Sequence, residues 1–315
     1  MATLNRTEWL QRRKAGIGGS DVAALLGVSP WKTPLDVYYD KIGAEKDEPE
    51  TEAMRIGTEL EDYVARSYER ETGLKVVRFN TLLQKGHSIG NLDRIVIPEG
   101  EKIAAHQGEL RTDRFLECKT SSSEEWEEVP EHYLAQVQHY LGLDDKLQHA
   151  DVAALFLGFG KSFRIYRVEK DADLIKAMQT AVEKFWAEHV EKRIPPAPTC
   201  EADCRRLWEA HEPGKIVEAD EALAQVAADL RAINAEIKAK EAQADELKGR
   251  LMAAMGDGEE LRFGLQKLAT WKNNKASTKT DWQALAAHLE PSEELVKEYT
   301  TTKPGARVFR LAAAK

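Results

Sequence analysis

Two short apolar runs, each closing on a carboxylate, constrain this chain more than any other feature. One ends through Gly90-Asn91-Leu92-Asp93, the other through Phe115-Leu116-Glu117-Cys118-Lys119. Segments of that kind suit neighbouring strands of one sheet, and the pairing would bring two carboxylates and an ammonium to one sheet edge. Hard carboxylate oxygens suit Mg²⁺ or Mn²⁺ better than softer metals. A lysine beside such an ion can hold and activate a water. Taken alone, Asp followed by Glu-x-Lys is more often a strand-end salt bridge, since short motifs recur by chance.

The 315 residues are too many for one ordinary core, so one large domain and an appendage are expected. The Pro-rich segment Ile194-Pro195-Pro196-Ala197-Pro198 sets the expected boundary, with domains over residues 1–198 and 199–315. Charged residues make up 31% of the chain and no apolar run reaches membrane-spanning length, which together point to a soluble protein without a membrane partner. The start of the sequence lacks a signal-peptide pattern. Three cysteines, Cys118, Cys200 and Cys204, give no disulfide framework and suit a reducing cytoplasm. Cys200, Cys204 and His211 lack a fourth ligand at zinc-site spacing and read as bystanders.

Before the Asp and Glu-x-Lys stretch, Thr7 reads as the cap of a short helix. Gly16-Ile17-Gly18-Gly19-Ser20-Asp21 then feeds another helix, with Ser20 or Asp21 as its cap and Gly27 at its end. A glycine turn entering a helix is an anion site by geometry, and Arg13 is placed to share the anion with Ser20; an exposed charge and a plain cap are the bland alternative. Thr33-Pro34 opens the next helix. A long amphipathic helix over residues 53–73 carries Met54, Leu60, Val64 and Tyr68 as a core stripe, with Glu61 near its buried side. Pro130 opens a helix through Leu143 on which Gln136 and Tyr140 share a face, while Gln138 lies about half a turn away. Residues 152–159 and 163–168 read as a hairpin, and residues 171–192 as a helix.

The extension differs in composition. A long helix of about residues 216–255, single or broken in two, has apolar periodicity fit to pack on a partner or on the main domain. Residues 257–315 read as a small α/β element, with a hairpin, two short helices and a closing strand at Arg307–Leu311. From Arg262 to Lys279 there is no acid, and Arg262, Lys267, Lys272, Lys275 and Lys279 interleave with Phe263 and Trp271. That composition suits a nucleic-acid-contacting edge and equally a solvated basic hairpin. The net charge of −9 argues against a whole-surface nucleic-acid binder but leaves room for a basic groove.

The ordered series Arg13…Gly16-Ile17-Gly18-Gly19-Ser20-Asp21, Gly57-x-x-x-Glu61, Gly90-x-x-Asp93, Glu117-x-Lys119 and Ala135-Gln136-Val137-Gln138-x-Tyr140 resembles the YqaJ-like viral recombinase and lambda exonuclease family of the PD-(D/E)XK nuclease superfamily. Leu92-Asp93 stands where Pro-Asp is often found. The resemblance covers roughly residues 5–195. It implies an α/β PD-(D/E)XK nuclease core, a central mixed β-sheet flanked by helices, followed here by the helical plus small α/β extension. It implies that Asp93, Glu117 and the backbone carbonyl of Cys118 bind Mg²⁺, with Mn²⁺ as a substitute. Lys119 would activate water and Glu61 support the metal. Gln138, with Gln136 and Tyr140, would position water or the DNA backbone, and Arg13 and Ser20 would hold the 5′-terminal phosphate. The implied activity is a Mg²⁺-dependent 5′→3′ exonuclease on linear double-stranded DNA, releasing mononucleotides and leaving 3′ tails for a single-strand annealing protein. A homotrimer ring around DNA is implied as well. An endonuclease or single-strand-specific nuclease of the same fold, or a non-catalytic DNA-end binding module, are the alternatives.

Overall fold

The computed structural model describes residues 13–44, 51–158, 162–289, 291–303 and 305–312. Of the helix expected over residues 7–14, only Arg13 and Lys14 are among them, and both are helical. The chain divides at Leu207/Trp208 into two compact units.

The first unit begins with α1 (Gly19–Leu25) and α2 (Pro34–Lys41). Gly18, not Ser20 or Asp21, is the cap residue of α1. Thr33 caps α2 in a reciprocal box with Asp36, and Pro34 occupies the first turn, where its missing N–H costs nothing. α3 (Glu52–Thr72) starts at the Thr51 cap and stops at Gly73, whose φ of 74° is left-handed. The strands β1 (Val76–Val77), β2 (Leu83–Lys85), β3 (Ser88–Gly90), β4 (Arg94–Val96), β5 (Ala105–His106), β6 (Glu109–Leu110) and β7 (Arg114–Ser121) follow. After them come α4 (Glu131–Leu141), β8 (His149–Phe156), β9 (Ser162–Glu169), α5 (Ala172–Phe185) with one π turn at Trp186–Val190, and α6 (Glu201–Leu207).

One five-stranded mixed sheet organises this unit, in the order β1-β4-β7-β8-β9. Only β7 and β8 are parallel. A parallel pair needs a crossover, and α4 is that crossover. Strand alternation assigns the faces. Phe115 lies in the core that holds Val137 and Leu141 of α4, together with Val22, Leu35, Ile175 and Met178. Its neighbour Leu116 lies in a second cluster with Val64 and Tyr68 of α3. The expected stripe on α3 therefore holds for Val64 and Tyr68, whereas Met54 is 60% exposed. The hairpin expected near residues 152–168 is β8 and β9, paired from His149↔Glu169 to Phe156↔Ser162.

α6 extends this unit past the Pro-rich segment and past the 198/199 boundary. Asp203 accepts a hydrogen bond from Thr33 Oγ1 at 2.8 Å, and Arg206 reaches Asp36 at 3.1 Å and lies over the Tyr39 ring. Cys200 and Cys204, at this helix, are exposed free thiols.

The second unit holds α7 (Glu221–Met255), β10 (Glu260–Phe263), β11 (Gln266–Thr270), α8 (Trp282–His288) and α9 (Glu293–Glu298). α7 is one unbroken helix capped by Asp220. β10 and β11 pair antiparallel with a bulge between Leu261 and Arg262. Residues 307–311, expected as a strand, are irregular. No described helix is long and apolar enough to cross a membrane.

A buried polar contact joins α3 to the sheet. Tyr68 Oη donates to Asp151 Oδ2 at 2.5 Å, and Arg167 Nε donates to Asp151 Oδ1 at 2.6 Å. Tyr68→Phe takes the phenolic donor from a buried carboxylate. A loss of about 1–3 kcal/mol is expected, seen in urea unfolding as a lower midpoint at unchanged slope.

Candidate functional site

The register of β4 on β7 builds the site. Arg94 pairs with Leu116 and Ile95 with Phe115. One step further along the same register places Asp93 opposite Glu117. Alternation then puts Asp93, Glu117 and Lys119 on the α4 face and Arg94 on the α3 face.

On the α4 face the contacts form a closed network. Lys119 Nζ donates to Glu117 Oε1 at 2.8 Å and to Gln136 Oε1 at 2.9 Å. Gln136 Nε2 donates to Glu117 Oε1 at 2.9 Å and to the Tyr140 hydroxyl at 3.1 Å. Lys119 Nζ also lies 4.5 Å from the centre of the Tyr133 ring. Glu117 is 2% exposed, and its Oε2 has no hydrogen-bond partner among the described residues. Asp93 Oδ2 accepts the Cys118 N–H at 2.8 Å. Burial and the adjacent Glu117 push the Asp93 carboxyl well above the usual carboxylate range. Burial works against the Lys119 ammonium, but Glu117 and Asp93 outweigh it and hold its pKa above the ordinary lysine value.

Two crowded carboxylates and a buried carboxylate oxygen without a donor suit a hard cation, because a cation would relieve the repulsion between them. The donors on hand are the two side chains and main-chain oxygen. No group of three or more His, Cys, Asp or Glu converges as a metal cluster among the described residues. The reason lies in the pleat. Glu61 reaches the sheet from the α3 side, where it pairs with Arg94, and Asp62 takes the same guanidinium at 2.5 Å. Arg94 in turn donates to the main-chain oxygen of Asp93 at 2.5 Å. Glu61 thus meets Arg94, which also bonds the Asp93 main chain, and it does not join Glu117.

Gln138 requires a correction, because it does not reach the cluster. Its Nε2 donates to Glu169 O at 2.7 Å and its Oε1 accepts from Asp171 N at 3.0 Å, so it ties β9 to the start of α5. Of the two glutamines, Gln136 is the one that meets Glu117, and Tyr140, four residues on, meets Gln136. Tyr133, three residues before Gln136, shares that face. The same helical spacing would have picked it out of the sequence.

The glycine-rich segment enters the site through packing. A Cβ on Gly19 would meet Gln136 Cγ at 2.6 Å and the Tyr140 ring at 2.9 Å. A Cβ on Gly90 would meet the same ring at 2.6 Å. Tyr140 is held between two glycines that belong to two of the sequence motifs. Ser20 is exposed beside them. Asp21 is fully buried and gathers cations: Lys41 Nζ at 2.7 Å, and Arg13 and Lys32 at 3.9 Å each. Burial works to raise the Asp21 carboxyl, but Lys41, Arg13 and Lys32 outweigh it and hold it below the usual range. Sequence reasoning found Arg13 but neither of its two lysine companions, because nothing in the spacing links residues 32 and 41 to a helix start at 19.

In the second unit, the basic stretch is largely paired within its own hairpin. Glu260 meets Arg262 and also Lys267 at 2.9 Å, and Glu259 meets Lys272 at 3.1 Å. The glutamates just before the acid-free segment fold back onto it.

Asp93 and Glu117-x-Lys119 thus meet on neighbouring interior strands of the mixed sheet, not at its edge, under the crossover helix α4. The YqaJ-like viral recombinase domain matches residues 8–146. The chain is 32% identical over 310 residues to the uncharacterized protein YqaJ of Bacillus subtilis (strain 168), covering 94% of this chain and 92% of that one. This chain therefore belongs to the YqaJ-like viral recombinase family. An alkaline exonuclease from Laribacter hongkongensis superposes with a TM-score of 0.46 at 20% identity, covering 60% of this chain and 94% of that one. A phage-related exonuclease from Haemophilus somnus 129PT gives 0.40 at 12% identity, covering 59% of this chain and 99% of that one.

Two outcomes test this geometry. Gly19→Ala drives a methyl into Gln136 and Tyr140 and is expected to cost about 1–3 kcal/mol by overpacking. Gly57→Ala, whose methyl would meet only Thr120 Oγ1 at 3.8 Å inside α3, is expected to stabilise by up to about 1 kcal/mol. Thermal melts of the two variants should move in opposite directions. For Asp21, a lowered folded pKa contributes stability that is present above the unfolded value of 3.8 and lost as pH falls through the folded pKa. Asp21→Asn, which leaves the buried Lys41 ammonium with Asp40 at 3.0 Å as its remaining carboxylate, is expected to lose about 1–3 kcal/mol at neutral pH. In acid titrations followed by circular dichroism, the gap between variant and wild type should close below pH 3.8.

Proposed function

We propose that this chain is a Mg²⁺-dependent 5′→3′ exonuclease acting on the ends of linear double-stranded DNA. It releases mononucleotides and leaves a 3′ single-stranded tail for recombination by strand annealing. The observation that carries this reading is the buried Glu117 beside half-buried Asp93 and Lys119, with a Glu117 oxygen that has no donor among the described residues. Membership of a viral recombinase family supports the DNA substrate.

Asp93, Glu117 Oε2 and the backbone carbonyl of Cys118 would hold Mg²⁺, with Mn²⁺ as a substitute. When bound, the ion neutralises charge on the non-bridging phosphate oxygen and the leaving 3′-oxygen and acidifies water. Lys119 has three N–H donors and uses two of them on Glu117 and Gln136. The third orients the attacking water toward phosphorus. Gln136 fixes the ammonium by accepting from it, and Tyr140 fixes Gln136. Glu61 positions Asp93 through Arg94. Arg13 and Ser20 hold the 5′-terminal phosphate, and that contact sets the polarity. Contacts of this kind read backbone and not base edges, as an enzyme digesting any sequence requires. A ring of three copies around the duplex and delivery of the tail to a single-strand annealing protein complete the reading.

A linear duplex labelled separately at its 5′ and 3′ ends tests it. The 5′ label should leave first, only with Mg²⁺ or Mn²⁺, and faster from phosphorylated ends. Lys119→Ala should slow release on the order of 10²–10³-fold or more. Cleavage of covalently closed circles would replace the exonuclease by an endonuclease and remove the role given to Arg13 and Ser20. End-selective binding without turnover would leave a binding module.

A further inference from the structure

α7 runs unbroken for 35 residues, about 50 Å, and carries a seam with 3–4 spacing along its whole length. Leu223, Leu230, Ile237, Ala244 and Leu251 repeat every seven residues. Val226, Ile233, Lys240, Leu247 and Ala254 repeat between them. The seven large aliphatic side chains in this seam are 36–60% exposed. Apolar heptads sustained over four repeats are the pattern of a coiled coil, and an exposed seam of this extent marks an interaction surface.

We propose that α7 pairs with the α7 of a second copy of this chain, as an antiparallel two-stranded coiled coil. Charge and size complementarity select both partner and direction. In a parallel pair, each seam residue meets itself. Lys240 would face Lys240 of the other copy, Ala244 would face Ala244 and leave a void, and Glu236 would flank Glu241 twice. Like charges so placed are destabilising.

The antiparallel arrangement removes each fault. Ile237 faces Lys240, whose aliphatic stem covers it while the ammonium reaches water. Ile233 faces Ala244, Leu223 faces Ala254, Leu230 faces Leu247 and Val226 faces Leu251, so large meets small at the ends and near the middle. Beside the seam, Asp229 flanks Arg250 twice, Glu236 flanks Gln243, Asn234 flanks Glu241 and Ala227 flanks Lys248. No like-charged pair remains. One register satisfies all of these layers, because every pairing is symmetric about the same point between Ile237 and Lys240. The single lysine in the seam then penalises other registers, the known use of a lone polar seam residue.

The test uses full-length chains with Cys200→Ser and Cys204→Ser, which leaves the partly buried Cys118. Leu230→Cys is placed in one preparation and Leu247→Cys in another. On mild oxidation, a disulfide-linked pair is expected when the two are mixed and in neither alone. A link in Leu230→Cys alone would show a parallel pair and overturn the proposal. As a second measurement, Leu230→Glu with Leu247→Glu should halve the molar mass in light scattering, from two chains to one or from two joined rings to one ring. No mixed disulfide and an unchanged molar mass would show that α7 does not pair with a second copy, and would equally overturn it.

Discussion

The antiparallel pairing of β4 with β7 is the constraint on which the rest of the first unit depends. It sets Asp93 against Glu117 with no freedom to slide, because a slip of one residue would turn Phe115 and Ile95 out of the α4-side core and Leu116 out of the α3-side core. Hydrophobic burial on two faces thus fixes the position of two carboxylates that repel each other. The Cys118 N–H bound to Asp93, and the Lys119 ammonium bound to Glu117, offset part of that repulsion. The remainder is held in place by the surrounding core, which is how a folded chain keeps like charges together without collapsing the gap between them.

The second layer of the site comes from α4. As the crossover between two parallel strands it must lie across the sheet, and it presents one helical face to the ends of β7. Gln136 and Tyr140 lie on that face together with Tyr133, and Gln138 lies on another. Its placement follows from the turn angle of a helix and from the open N–H and C=O groups where β9 ends and α5 begins. A glutamine side chain, with both a donor and an acceptor, satisfies both.

Much of this was legible in the residues. The two runs ending in Asp93 and Glu117-x-Lys119 are adjacent strands, and Thr33-Pro34, Gly73 and Pro130 punctuate helices where their chemistry demands. What escaped was the product of tertiary contact. Glu61 was placed near the buried side of its helix, but the identity of its partner, Arg94, depends on how α3 crosses the sheet. Lys32 and Lys41 converge on Asp21 from α2 and the loop before it, and no local spacing encodes that meeting. The choice between Gln136 and Gln138 is a matter of helix phase, which sequence gives only once the direction of the site is known. The first unit runs on through α6 because of specific docking by Asp203 and Arg206, whereas the Pro-rich composition just before it signals a break.

The clasp of Gly19 and Gly90 around Tyr140 has a consequence for how this lineage can change. The ring occupies space that a methyl group at either glycine would need, so the three positions form one steric unit. A drift to alanine at residue 19 or 90 needs the Tyr140 ring to give way, together with Gln136 beside the first and Leu143 beside the second, and a smaller side chain at 140 would remove the hydroxyl that steadies Gln136. Two motifs separated by some seventy positions in the chain are therefore coupled through a single ring.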